Sequence, residues 1–298
     1  MINKEIIAII KRALAEDIGK KDITTLLTVP FRQEAEAVIF AKEKGVLCGI
    51  NIVWEVFKQK DKKIFFKSLK KDGDTFRKDE KVAYIRGDAH IILSSERVAL
   101  NFLSLLSGIS TLTKKFADKI KGTGVKILDT RKTTPNLRAL EKYAVRIGGG
   151  YNHRMTLAQE VLIKDNHLKA ARFINKSSPC AASKRDKGKF DEERFRNSFS
   201  YLKKSAHLKI EVEVESMEVF KRVIKYKPDV VMLDNFSLAQ LKKAVVQRDE
   251  YFPQVKLEVS GGINLNNVRE VARAGVDFIS VGMITHSPAA IDFSLEVL

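Results

Sequence analysis

Cysteine is nearly missing from this chain: Cys48 and Cys180 are the only two among 298 residues. That excludes a disulfide framework, and two cysteines alone cannot build a structural zinc site. A reducing cytoplasm is the expected setting. No apolar run approaches the roughly 18 residues of a membrane span. The start, MINKEIIAIIKRALAEDIG, lacks the uncharged centre of a signal peptide, and Ile6, Ile7, Ile10 and Leu14 recur there at helical spacing. No internal repeat and no recognised nucleic-acid motif is present. Negative charge is in deficit, 37 Asp and Glu against 54 Lys and Arg, for a net +17. The excess favours anionic partners without choosing among nucleic acid, anionic lipid and phosphorylated substrates. Part of it lies in the Lys58–Lys81 stretch, and part in Lys176–Lys204 around Lys184, Arg185, Lys187 and Lys189.

What is present is an α/β pattern. Glu34–Ala41 and Lys63–Lys70 read as strands, and Asp72-Gly73-Asp74 as a turn. Ser94–Leu106 reads as a helix with Val98, Phe102, Leu105 and Leu106 on its apolar stripe and Ser94 or Ser95 as N-cap. From Lys121 onward, short β-rich runs alternate with helical segments: VKILD, EVLIKD, KIEVEV, DVVMLD, KLEVSGG and FISVGM. Such alternation predicts βα units and a parallel sheet. The segment around 175–190 is basic and rich in Ser and Lys, with a mobile loop expected over 175–189 and a helix from near Phe190.

Each β run stops at a polar or glycine residue: Asp129 with Arg131 and Lys132, Lys164 with Asp165, Glu213, Asp234, Ser260-Gly261-Gly262, and Gly282. In a βα barrel the active site is built where the strands end. After LDTRKTTP, Thr134 is placed to cap the next helix, Pro135 fits its first turn and Gly148 ends it. The run Gly148-Gly149-Gly150-Tyr151-Asn152 then delivers His153 and Arg154 as a second basic pair. Arginine binds carboxylates and phosphates through a planar fork, and lysine acts as a point charge. Arg131, Lys132, His153, Arg154 and Lys164 on one rim call for a ligand with more than one carboxylate or phosphate. In KIEVEVES, Glu211, Glu213 and Glu215 alternate with Val212 and Val214, so the middle glutamate at least faces inward if the valines pack under helices. A carboxylate there needs a pairing cation or a metal. Glu213 and Asp234 together can hold Mg²⁺, which takes carboxylate oxygens and substrate phosphates. No nucleophile stands out, which favours positioning and electrostatics over covalent catalysis.

Eight ordered motifs, DTRKTTP, EKYAV, GGGYNHR, LIKDNH, IEVEVES, MLDNF, EVSGGIN and ISVGMITHS, resemble those of the type II phosphoribosyltransferases, and most closely the quinolinate phosphoribosyltransferases. EDIGKKDITT and SSERVALNFLSLLSGIST extend the resemblance over nearly the whole chain except 175–190. It implies an N-terminal α/β sandwich domain over 1–108, completed by 287–298, and an incomplete parallel α/β barrel over 109–286. It implies a homodimer and a Mg²⁺-dependent reaction of quinolinate with phosphoribosyl pyrophosphate that yields nicotinate mononucleotide, pyrophosphate and CO2. Arg131, His153, Arg154 and Lys164 would bind quinolinate, joined by Arg97 of the partner subunit. Lys132, Glu213 and Asp234 would hold phosphoribosyl pyrophosphate with its Mg²⁺, and Lys132, Lys164, Glu213 and Asp234 would be the catalytic set. Ser260, Gly261, Gly262 and Gly282 would cradle the 5-phosphate. The chain departs from the family pattern at Tyr151, usually histidine, and at Asn136 and Lys21, usually glycine. The other readings are a phosphoribosyltransferase for a nicotinate-like mono-acid and, more distantly, a nucleic-acid-binding protein. The number of cations favours a dicarboxylate; the scatter of the basic excess speaks against specific nucleic acid.

Overall fold

The structure, a computed structural model, describes residues 2–171, 174–175, 189–205 and 207–298. The loop expected over 175–189 therefore lies mostly outside the described residues. The strands in chain order are β1 (Glu34–Ala41), β2 (Gly45–Val46), β3 (Phe65–Ser68), β4 (Thr75–Phe76), β5 (Lys81–Asp88), β6 (Lys126–Leu128), β7 (Val161–Ile163), β8 (Ile174–Asn175), β9 (Lys189–Phe190), β10 (Ile210–Val214), β11 (Val230–Asp234), β12 (Lys256–Ser260), β13 (Phe278–Ser280) and β14 (Phe293–Val297). The chain divides into two compact units. One comprises Met1–Ala117, Lys132–Asn152 and Gly282–Leu298; the other comprises Asp118–Arg131 and His153–Val281.

The first unit carries an antiparallel four-stranded sheet of order β14-β1-β5-β3. β14, from the end of the chain, pairs with β1 from Ala37↔Val297 to Ala41↔Phe293. Helix Lys4–Ile18 buries Ile6, Ile9, Ile10 and Leu14, and helix Ile50–Lys60 buries Ile52, Val53, Val56 and Phe57. The turn at Asp72 holds the start of that second helix, because Asp72 Oδ1 accepts the Gly49 and Ile50 N–H groups at 2.9 and 3.0 Å.

The helix expected over Ser94–Leu106 runs from Ala89 to Lys119. It starts beside Asp88, whose Oδ1 accepts the His90 N–H at 2.8 Å, while Ser95 is fully buried inside the helix and caps nothing. Past Leu106 its buried face mixes Ser107, Gly108, Ser110 and Thr113 with Ile109 and Phe116. Their hydroxyls are satisfied locally, Ser110 Oγ donating to Ala144 O and Thr113 Oγ1 to Ile109 O, each at 2.8 Å. By length and composition this helix could cross a membrane, contrary to the expectation from apolar runs, but 56% of its most apolar window is buried inside the structure, the pattern of a core helix.

The second unit is built on a parallel six-stranded sheet of order β6-β13-β12-β11-β10-β7. All six β-rich runs contribute one strand each. The sheet is open, with β6 and β7 at its edges. In β10, Val212 and Val214 are buried on one face and Glu211 and Glu213 on the other. Phe190 lies in β9, paired with Ile174, and the helix expected from near Phe190 starts at Glu192.

Candidate active site

The residues after β6 and before β7 are tied together by one buried carboxylate. Asp129, fully buried, accepts the His153 backbone N–H at 2.9 Å. His153 is 9% exposed, and both its ring nitrogens are engaged. Nδ1 accepts the Arg154 N–H at 2.8 Å, so the ring proton belongs on Nε2, 3.0 Å from Glu211 Oε2. Arg154 is 7% exposed and donates from Nη1 to Glu160 O at 2.9 Å. Burial, and then the like charge of Arg131, push the Arg154 guanidinium below its ordinary value. Two cations are thus held close in a low-dielectric corner, an arrangement that a bound anion relieves.

On the neighbouring strand ends, Lys164 pairs with Glu213, which is 8% exposed. Asp234, half-buried, ends β11 opposite Ser260. Asn235 joins them: its N–H donates to Ser260 O at 2.9 Å, and its Nδ2 donates to Asp234 Oδ2 at 2.8 Å. Gly261 and Gly262 have φ of 88° and 64°, and a Cβ on Gly261 would collide with the Asn235 side chain. Consecutive left-handed residues turn backbone N–H groups into one concavity, which suits an anion.

Lys132 and Gly282 belong to the first unit. The Lys132 carbonyl accepts Thr285 Oγ1 at 2.8 Å, and a Cβ on Gly282 would stand 3.3 Å from Lys132 Cδ. The expected cap at Thr134 does not form. Helix Arg138–Ile147 starts at Arg138, without a side-chain cap bond, and Thr134 N–H instead donates to the buried Glu141 at 3.2 and 3.3 Å. Asn136 lies between with φ 66°, the conformation that explains the family's glycine there. Arg97, on helix Ala89–Lys119, has a side chain 63% exposed, 3.9 Å from Glu96.

The second unit thus gathers Arg131, His153, Arg154, Lys164, Glu213, Asp234, Ser260, Gly261 and Gly262 on one sheet and its strand ends. His153 has its nitrogens engaged by Glu211 and the Arg154 backbone, so it also holds a neighbour in place. Two contributors were missed, Glu160 and Glu258. Asp129 was marked as a strand-end acid without its pairing to a backbone N–H, and Glu160 acts through a backbone carbonyl, for which the sequence has no signal. Glu258 sits in KLEVSGG with the same alternation as KIEVEV, and that period could have revealed it. A mainly apolar cavity of about 650 Å³ lies along β7 and helix Glu192–Ser205, lined by Leu162, Phe195, Phe199 and Leu202; Arg154 and Glu160 reach it, but Glu213 and Asp234 do not.

The family model for the quinolinate phosphoribosyl transferase C-terminal domain matches residues 109–189 and 192–296, and the model for the N-terminal domain matches 22–107. The chain is 39% identical to the chloroplastic nicotinate-nucleotide pyrophosphorylase [carboxylating] of Arabidopsis thaliana, over 97% of this chain and 82% of that one. It is 38% identical to the probable enzyme of that name from Bacillus subtilis, over 95% of this chain and 90% of that one. The solved nicotinate-nucleotide pyrophosphorylase from Francisella tularensis superposes with a TM-score of 0.86 at 36% identity, covering 100% of this chain and 98% of that one.

Proposed function

The chain belongs to the quinolinate phosphoribosyl transferase family and catalyses its reaction, and from that premise we propose how its residues divide the work. Quinolinate and phosphoribosyl pyrophosphate give nicotinate mononucleotide, pyrophosphate and CO2 in NAD biosynthesis. Arg131, Arg154 and Lys164 take the carboxylates of quinolinate. His153 serves that site by fixing Arg154. Arg97 of the partner subunit joins them in a homodimer, a role that its exposure in one chain supports. Lys132, Glu213 and Asp234 hold phosphoribosyl pyrophosphate, and Ser260, Gly261, Gly262 and Gly282 receive its 5-phosphate. Lys132, Lys164, Glu213 and Asp234 form the catalytic set.

Glu213 and Asp234 supply carboxylate oxygens, the hard donors that Mg²⁺ accepts beside substrate phosphates, so this donor set fits the ion. When bound, Mg²⁺ offsets charge on the departing pyrophosphate. The protein's own groups do the rest. Glu213 stabilises the cationic sugar that forms as pyrophosphate leaves, and Lys132 faces the leaving charge. The pyridine nitrogen takes the sugar, and the ring becomes a cation able to accept the electron pair left by CO2. The lost carboxylate is replaced by a proton on carbon.

The observation that carries the reading is the corner where the half-buried Arg131 bears on the buried Arg154; with Lys164 they make three cations, more than a mono-acid needs. The alternative, a nicotinate-like mono-acid, brings one carboxylate to three cations. The enzyme acts on small molecules in the cytoplasm, with neither a membrane nor a specific nucleic acid as partner. Steady-state kinetics test the division. Arg131→Ala should raise the quinolinate KM by about 10- to 100-fold with little change for phosphoribosyl pyrophosphate, as expected for a lost charged hydrogen bond. Lys132→Ala should do the reverse. Equal effects of both variants on both substrates would overturn the two-site division.

A further inference from the structure

Lys132 lies outside every helix and strand, so its place depends on what holds its backbone. The residues that follow it are tied to helix Arg138–Ile147. Arg138 Nε donates to Thr133 Oγ1 at 3.0 Å, and the buried Glu141 accepts the Thr134 N–H at 3.2 and 3.3 Å. Lys132 itself is held from far along the chain. Thr285, on helix Met283–His286 and 2% exposed, has its hydroxyl 2.8 Å from the Lys132 carbonyl oxygen.

Thr285 Oγ1 also stands 3.2 Å from Gly282 O, and its one proton can serve only one of the two acceptors well. Gly282 O already accepts the N–H groups of Thr285 and His286, each at 3.1 Å. The hydroxyl proton therefore goes to Lys132 O, the nearer acceptor. The same bond sets how Lys132 meets the Gly282 turn. A Cβ on Gly282 would stand 3.3 Å from Lys132 Cδ and 3.2 Å from the His286 ring. Glycine, with no Cβ, lets the lysine stem and the imidazole close on the backbone of the turn.

We propose that Thr285 is a positioning residue: its hydroxyl fixes Lys132 against the Gly282 turn, so that phosphoribosyl pyrophosphate meets the ammonium group and the turn together. The proposal rests on the division of residues given above, in which Lys132 and Gly282 both serve that substrate. Arg131, Arg154 and Lys164, assigned to quinolinate, receive no hydrogen bond from Thr285, so its effect is confined to one substrate.

Thr285→Val keeps the shape of the side chain and removes the donor. It should raise the KM for phosphoribosyl pyrophosphate about tenfold, as expected for one lost buried hydrogen bond, and leave that for quinolinate unchanged. Thr285→Ser keeps the donor and should hold both constants at their parental values. Because Thr285 acts through Lys132, adding Thr285→Val to Lys132→Ala should raise the phosphoribosyl pyrophosphate KM no further than Lys132→Ala alone. Calorimetric titration with phosphoribosyl pyrophosphate and Mg²⁺, without quinolinate, should repeat this pattern in the absence of turnover. If Thr285→Val fails to fold, Thr285→Ala against Thr285→Ser carries the same comparison. A parental KM in Thr285→Val, impairment of Thr285→Ser equal to that of the valine variant, or additive losses in the double variant would overturn the proposal alone. A parent that binds no phosphoribosyl pyrophosphate would overturn the site assignment and the proposal with it.

Discussion

Asn136 is the single residue whose conformation most directly explains a departure from the family pattern. Its φ of 66° lies where a Cβ is strained, and asparagine tolerates that region better than most residues. Asn136→Gly should leave stability unchanged or raise it by about 0.5 kcal/mol, whereas Asn136→Val should lower it by about 1–2 kcal/mol, both read by urea denaturation. A stabilising valine would contradict the strain argument. Much at this scale was legible in the sequence. Cations and acids at strand ends were visible because a polar residue closing an apolar run has few structural reasons to be there. The pairing of Asp129 was hidden, because it acts on a backbone N–H. The sequence marks the donor and acceptor types but not their pairing. For His153 too the type was evident in the sequence, and its two partners in the structure were not.

Among the elements, helix Leu238–Tyr251 is fastened to the sheet by Arg248, 7% exposed, which bonds Asp277 Oδ2 at 2.5 Å and the carbonyls of Val255 and Gly275. Burial alone would raise the Asp277 carboxyl, but the Leu257 N–H, Lys256 and Arg248 outweigh it and hold it below the usual range. A lowered folded value means that Asp277 stabilises the fold above the unfolded carboxylate pKa of roughly 3.9, and that this stabilisation is lost as pH falls through the folded value. Asp277→Asn should therefore cost about 1–3 kcal/mol at pH 7, with the two denaturation midpoints converging in acid. A gap that stays constant with pH would contradict the charge argument. The six parallel strands were legible because each is a short β-branched run between helical segments. Helix Ala89–Lys119 was legible only as far as Leu106, since beyond it serine, glycine and threonine share the buried face with Ile109 and Phe116 and thin the apolar stripe.

At the scale of the whole molecule, the order of the sheet was not legible. Chain order places β6 beside β7, but they stand at opposite edges, because β13 pairs with β6 through Ser280↔Leu128. The net charge of +17 was a weak guide, since it favours anionic partners without choosing among them. Assembly is open to a direct check. If Arg97 completes the partner's site, Arg97→Ala and Lys164→Ala proteins, each nearly inactive, should regain activity on mixing, because a hybrid dimer contains one site with neither substitution. No recovery in subunits proven by mass spectrometry to exchange would mean that Arg97 acts within its own chain. The central claim is the dicarboxylate reaction. The most direct measurement incubates purified protein with phosphoribosyl pyrophosphate, Mg²⁺ and quinolinate labelled in the carboxylate beside the ring nitrogen, with nicotinate in a parallel tube. The account predicts nicotinate mononucleotide and labelled CO2 in equal amounts from quinolinate and no product from nicotinate; product from nicotinate alone, or from neither with folded protein, would contradict it.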